Sequence, residues 1–210
     1  MQDELFWDIL DEQRRELLPA MVSFKDNFYL AGGTALALQI GHRDSIDFDF
    51  FTEESFSTNK LFEQLNIIFN GHKLEKTQEE KDTLSILIDN NIKMSFFTYP
   101  YKLVQPLTNS EYLRIASIED IGLMKLSAIT SRSVMKDYVD LYFILQKITL
   151  SKLINLAKEK FPTLDQNLIL KSLVYFDDII DEPIIYKHES HTDPEVIKIF
   201  LKEKVKEYLS

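Results

Sequence analysis

The stretch FYLAGGTALALQIGHRDSIDFDFF, residues 28–51, constrains this chain more than any other. An apolar run ends at Gly32 and Gly33, a short Ala/Leu segment follows, and two aspartates, Asp47 and Asp49, then alternate with Ile46, Phe48 and Phe50. The pattern predicts a strand, a glycine turn, a short helix over TALALQIGH capped by Thr34, and a second strand over SIDFDFFT. Residues two apart on a strand share a face, so Asp47 and Asp49 are expected to project together while Ile46, Phe48 and Phe50 turn to the core. Two carboxylates held side by side repel unless a cation lies between or beside them.

A magnesium ion, or manganese in its place, meets that need, because a hard cation shares its oxygen shell readily between carboxylates and the phosphates of a nucleotide. Gly32 and Gly33 let backbone and phosphate approach closely, and the free amides of a helix N-terminus favour an anion. Thr34 adds a hydroxyl at the same place. Phosphates at the helix start and metal at the aspartate pair together suit a nucleotide triphosphate.

Composition narrows the remaining classes. The chain has 210 residues, enough for a sizeable core, and its 45% apolar content is ordinary for a globular fold. The absence of cysteine removes disulfides, thiol catalysis and thiolate zinc sites. The N-terminal stretch MQDELFWDILDEQRRELLPAM is charged throughout, so neither a signal peptide nor a membrane span is expected there, and the expected compartment is the cytoplasm. A net charge of -10 argues against a surface that grips nucleic acid broadly, while leaving room for a nucleic-acid end in a local basic patch or for a basic protein partner.

Leu5 to Val22 carries an imperfect helical stripe that Pro19 threatens to break. STNKLFEQLNIIFN predicts a capped helix, and HKLEKTQ, TLSILID and IKMSFFTYP predict three extended segments, the last two joined by a DNN turn. From Ser117 the pattern becomes helical. SIEDIGLMKLSAITSR opens with a capping signature and places Ile118, Ile121, Met124 and Ala128 on an apolar side, and four further helices follow through SVMKDYVDLYFILQK, TLSKLINLAKEKF, TLDQNLILKSLVYF and DPEVIKIFLKEKVKEYL. The boundary between an α/β lobe, 1–112, and a helical lobe, 113–210, is expected near Thr108 to Ser117.

The order Gly33-Thr34, twelve residues, Asp47-Phe48-Asp49 resembles the signature of the nucleotidyltransferase superfamily, and HRDSIDFDFF is similar to the corresponding segment of the AbiEii/AbiGii-type abortive-infection toxins. SIEDIGLMKLSAITSRSVMKDYVDLYFIL resembles that family's segment in which a helix lysine precedes an arginine and a Lys-Asp-x-x-Asp-Leu helix; here the residues are Lys125, Arg132, Lys136, Asp137 and Asp140. SLVYFDDIIDEP, 172–183, looks like the family's late segment, so the resemblance runs from about Leu30 to Pro183.

The resemblance implies an α+β, polymerase-beta-like nucleotidyltransferase fold with a mixed sheet, flanking helices and a helical lobe that closes the nucleotide cleft. It implies catalytic roles for Asp47, Asp49, Lys125 and Asp137, metal ligation by Asp47 and Asp49, and nucleotide contacts from Gly32, Gly33, Thr34, Arg43, Ser45, Lys125, Arg132 and Asp140. Physically, Lys125 lies among apolar residues and needs a partner, which a triphosphate would supply. The plainer alternatives are that Arg43 and Ser45 only fix their loop and that Asp140 pairs with Lys136 at i and i+4. The expected reaction moves a nucleoside monophosphate from a nucleotide triphosphate to the hydroxyl of an RNA, such as a transfer RNA 3′ end, or of a small molecule, in a toxin paired with an antitoxin protein. A degenerate member that binds nucleotide or a protein without catalysis is the other reading. One departure bears on all of these: where a third carboxylate is expected on a later strand as general base, IKMSFFTYP offers Ser95. His188 and His191 are expected in a polar loop, Phe97, Tyr99 and Tyr101 in the core, and Lys198, Lys202, Lys204 and Lys206 on a local basic face diluted by Glu203 and Glu207.

Overall fold

A computed structural model describes residues 5–210; Met1 to Glu4, where the charged N-terminal stretch begins, lie outside the described residues. The expected helix from Leu5 is split. A 3-10 turn at Trp7–Ile9 precedes α1 (Glu12–Met21), which the Asp11 carboxylate caps by accepting from the Arg14 amide, and Pro19 lies inside the helix.

The sheet is built from β1 (Tyr29–Ala31), β2 (Phe48–Thr52), β3 (Leu74–Glu80), β4 (Thr83–Ile88), β5 (Ile92–Thr98), β6 (Thr108–Asn109) and β7 (Arg114–Ile115). Its order is β3-β4-β5-β2-β1-β7-β6, with β2 parallel to β5, β1 parallel to β7, and the other neighbours antiparallel. On one face Phe50 stacks on Phe96 at 5.2 Å, and Phe24 and Phe28 meet this pair edge-on at 5.0 and 5.1 Å. Such contacts add to the burial of large apolar rings, which anchors the sheet's centre. By the alternation of the strand, the opposite face carries Asp49, Ser95, Phe51 and Phe97.

Two helices flank the sheet segments in sequence: α2 (Gly32–Ile40), directly after β1, and α3 (Thr58–Ile68), capped by Ser57 and packed against β3 and β4. The sheet continues to Ile115 before α4 (Ile118–Ala128) opens, with the Ser117 hydroxyl accepting from the Asp120 amide. α5 (Met135–Leu145), α6 (Leu150–Lys160), α7 (Gln166–Val174) and α8 (Pro194–Leu209) complete the chain. α4 is their hub, touching α2, α5, α6 and α7. Its buried apolar residues are Ile121, Leu123 and Leu126, while Met124 and Ala128 line the cleft between α4 and the sheet, so the expected apolar side divides between core and cleft. Among the described residues no helix is long and apolar enough to cross a membrane.

A buried ion pair outside that cleft ties α6 and α4 to the connection before β6. Lys160 Nζ lies 2.7 Å from Asp120, whose carboxylate also accepts from the amides of Val104 and Gln105 and from Ser117 Oγ.

Candidate active site

β1 ends where α2 begins, and no side chain caps α2 at Ala31. Gly32 adopts φ +72°, where a side chain is strained, and a Cβ there would come within 3.0 Å of Asp49 Oδ2. A Cβ on Gly33 would lie 2.6 Å from Arg43 Nη2 and 2.9 Å from Ser45 Oγ. The glycines therefore let the helix start close on Asp49 and Arg43.

Thr34 lies inside the first turn of α2 and does not cap it. Its buried hydroxyl donates to the Asp47 carbonyl and lies 3.0 Å from Ser45 Oγ, so it orders the loop before β2 and is not free for a ligand. That loop is also held by Arg14, whose Nε donates to the Ile46 carbonyl at 2.7 Å, and by the Asp44 amide donating to the Ile185 carbonyl. With the carbonyls of Ile46 and Asp47 taken by side chains, β2 begins only at Phe48. Asp47 precedes the strand, and Ile46 is 56% exposed, in contrast to its expected place in the core.

Asp47 and Asp49 both line a cleft of about 690 Å³ with Gly32, Gly33, Arg43, Ser45, Lys125, Arg132 and Asp137. Burial raises the Asp49 pKa and the neighbouring Asp47 raises it further, against the opposing pull of Lys93, Lys125 and Arg132. A carboxylate held in that state is relieved by a cation. Among the described residues no cluster of three or more acids and histidines forms, so the protein offers the Asp47–Asp49 pair alone, and oxygen ligands from nucleotide and water would complete a magnesium shell there. Ser95 stands directly opposite Asp49 in the β2–β5 register, buried and 3.1 Å from Ser85 Oγ.

Across the cleft a chain of charges links the helices to the loop. Asp140 is wholly buried; its Oδ1 accepts from Arg43 Nε at 2.7 Å and His42 Nε2 at 2.8 Å, and its Oδ2 accepts from Arg43 Nη2 at 2.8 Å and lies 2.6 Å from Lys125 Nζ. Burial alone would raise the Asp140 pKa, but Arg43, Lys125 and the His42 hydrogen bond outweigh it and hold the carboxyl well below the usual range. Burial lowers the His42 pKa against the pull of Asp140, and a carboxylate can only accept, so Nε2 is the donor of this bond. Lys125 also meets Asp137 Oδ1 at 2.7 Å, and Asp137 is gripped by Arg132, Nε to Oδ2 at 2.8 Å. The partners Lys125 finds are thus two carboxylates, and Asp140 pairs with Arg43 and Lys125, while Lys136 pairs with Glu182 at 2.9 Å.

The structure therefore brings Gly32, Gly33, Arg43, Ser45, Asp47, Asp49, Lys125, Arg132 and Asp137 to one cleft and sets Thr34 and Asp140 behind its wall. Sequence reasoning missed Lys93, Gln78, Phe51, Glu182, Pro183 and Ile185 as residues lining the same cleft, and gave His42 no weight. The period-two placement of Lys93 and Ser95 on β5 was the one available signal for Lys93. Phe97, expected in the core, faces the cleft, whereas His188 lies in the connection before α8, 3.1 Å from Asp8. In α8, Lys198 and Lys204 are paired with Glu195 and Glu207, which neutralises half of the expected basic face.

Known proteins resemble this chain in sequence or in fold. The protein aq_aa25 of Aquifex aeolicus (strain VF5) is 41% identical over 211 residues, covering 95% of this chain and 98% of its own. MenT4, the nucleotidyltransferase toxin Rv2826c of Mycobacterium tuberculosis H37Rv, shares the fold at a TM-score of 0.62 and 11% identity, covering 92% of this chain and 80% of its own. JHP933 from Helicobacter pylori does so at a TM-score of 0.58 and 19% identity, over 94% and 92% of the two chains. The model of a nucleotidyltransferase family, described as "Nucleotidyl transferase AbiEii toxin, Type IV TA system", matches residues 16–199. With the glycine-opened helix, the aspartate pair and the mixed sheet in one fold, the chain belongs to the AbiEii nucleotidyltransferase toxin family.

Proposed function

We propose that the protein transfers a nucleoside monophosphate from a nucleotide triphosphate to an acceptor hydroxyl with release of pyrophosphate, and that the acceptor is the 3′ end of an RNA. The observation that carries this reading is the approach of the α2 N-terminus to Asp49, with Lys125 and Arg132 lining the same cleft. The free amides at Gly32 and Gly33 suit phosphate oxygens, and Arg43, fixed by Asp140 behind them, adds a positive charge that cannot swing away. Arg132, with 59% of its side chain exposed, has room to reach a phosphate while keeping its bond to Asp137. Lys125 contributes its field from a fixed position, because Asp137 and Asp140 hold it from two sides.

Asp47 and Asp49 would hold the magnesium or manganese, which when bound polarises the phosphoryl group and offsets negative charge. The family description supports a toxin role beside an antitoxin partner, and we place the protein in the cytoplasm on that reading. A second reading, nucleotide binding without transfer, draws on Ser95, which cannot serve as a base at neutral pH where a third carboxylate is expected.

The test is pyrophosphate release by the purified protein with magnesium and each of the four ribonucleotide triphosphates, with and without total transfer RNA, beside Asp49→Ala. Release that needs RNA and is lost in the variant is the expected result. Nucleotide binding without release under any condition would favour the second reading.

A further inference from the structure

One polar row crosses the cleft face of the sheet. Asp49 pairs in register with Ser95, Ser95 with Ser85, and Ser85 with Gln78. On the other flank of Asp49 lies Ala31, the last residue of β1, from which α2 starts. Asp49 thus separates two half-sites: the glycine turn on the β1 side, and neutral polar groups on the β5 side.

In-line displacement at phosphorus puts the entering and leaving oxygens on opposite sides. With the departing end of the triphosphate at the α2 N-terminus, the acceptor hydroxyl enters over β5. This step rests on the transfer reading above. Ser85 and Ser95 line that flank, and their hydroxyl oxygens are 3.1 Å apart. One donates to the other, so one hydroxyl hydrogen of the pair is left for a ligand.

Lys93 stands two residues before Ser95 on the same strand face, about 7 Å along it. It is exposed and lines the cleft. Each of the other cations lining the cleft has a carboxylate partner: Arg43 has Asp140, Lys125 has Asp137 and Asp140, Arg132 has Asp137, and Lys136 has Glu182. Among the described residues Lys93 alone in the cleft has no ion-pair partner. An ammonium with no ion-pair partner, whose field also reaches Asp49, and which stands on the same strand face as a hydroxyl donor, suits a phosphate next to a ribose and repels a polycationic small molecule.

We propose that Lys93 binds the backbone phosphate of a single-stranded nucleic-acid acceptor, and that the Ser85–Ser95 hydroxyl pair seats its terminal ribose beside Asp49. Lys93 is then the acceptor-specificity residue of the cleft, and the acceptor path runs over β5 and β4 toward Gln78.

The experiment measures binding of a fluorescent single-stranded RNA with a free 3′ hydroxyl, in magnesium, to wild type, Lys93→Ala and Lys93→Arg, with nucleotide affinity measured on the same proteins. Lys93→Ala is expected to weaken RNA binding about ten-fold and to flatten the slope of log affinity against log salt by about 0.7, the loss of one phosphate contact. Lys93→Arg keeps both, and any loss of nucleotide affinity in Lys93→Ala is smaller than its loss of RNA affinity. Lost nucleotide affinity with unchanged RNA binding would overturn the proposal and assign Lys93 to balancing Asp47 and Asp49. Absence of RNA binding by the wild type would overturn it as well. Pyrophosphate release reports separately: RNA binding that depends on Lys93 without any release sinks the transfer reading and leaves the RNA site, whereas RNA-dependent release indifferent to Lys93 sinks only this assignment.

Discussion

Gly33 and Arg43 are in van der Waals opposition: a Cβ on Gly33 would sit 2.6 Å from Arg43 Nη2, and that guanidinium cannot retreat because Asp140 holds both its Nε and its Nη2. The backbone of Gly33 needs no positive φ, so the constraint is steric. Gly33→Ala is expected to displace Arg43, to cost about 1–3 kcal/mol of stability as overpacking, and to weaken nucleotide binding about ten-fold or more. Titration with a fluorescent nucleotide and urea unfolding measure the two effects; unchanged affinity would show that Arg43 takes no part in binding.

Asp49 trades stability for charge. Burial and Asp47 raise its pKa in the folded state, so the native protein binds this proton more tightly than the unfolded chain does. Stability therefore falls as pH rises from the ordinary carboxylate range through the raised value, and at neutral pH the ionised group is a liability. Asp49→Asn should raise the melting temperature of the metal-free protein by about 2–4 °C while abolishing pyrophosphate release. Magnesium should raise the melting temperature of the wild type and leave that of the variant unmoved. A variant melting below the wild type in metal-free buffer contradicts this account.

Asp140 works with the opposite sign. Its folded pKa lies well below the ordinary value, so its contribution is complete above the unfolded carboxylate pKa of about 3.9 and is lost as pH falls through the folded one. Asp140→Asn strands the buried Arg43, leaves Lys125 with Asp137 alone, and should cost about 3–5 kcal/mol at pH 7. The urea midpoints of the two proteins should converge below about pH 4. A gap constant down to pH 3 would mean that the charge itself contributes little.

The Lys160–Asp120 pair, neither member of which lines the cleft, gives a control. Lys160→Met leaves the wholly buried Asp120 with only neutral donors and should destabilise the protein by about 3 kcal/mol with nucleotide affinity unchanged. Adding Asp120→Asn should recover part of the loss. A large change in nucleotide affinity in the single variant would reveal coupling between this tie and the cleft.

The sequence by itself determined the features whose physics is local. Ser117, Ser57 and Thr149 cap their helices because a hydroxyl three residues ahead of a free amide needs no tertiary help, and the strands around the 89–91 turn follow from alternation and turn chemistry. The glycine pair and the aspartate pair were legible for the same reason, since each is a short-range pattern. Only the tertiary structure decided what required distant residues to meet. Asp140 reaches Arg43 across 97 positions, which turns a residue expected at the nucleotide into one that holds Arg43 from behind. Ile46 lies before the strand and is exposed, its carbonyl taken by Arg14 from 32 positions away. Lys93 enters the cleft because the parallel pairing of β2 with β5 brings Ser95 beside Asp49. Strand register and buried ion pairs depend on which segments become neighbours in space, and no periodicity along the chain records that choice.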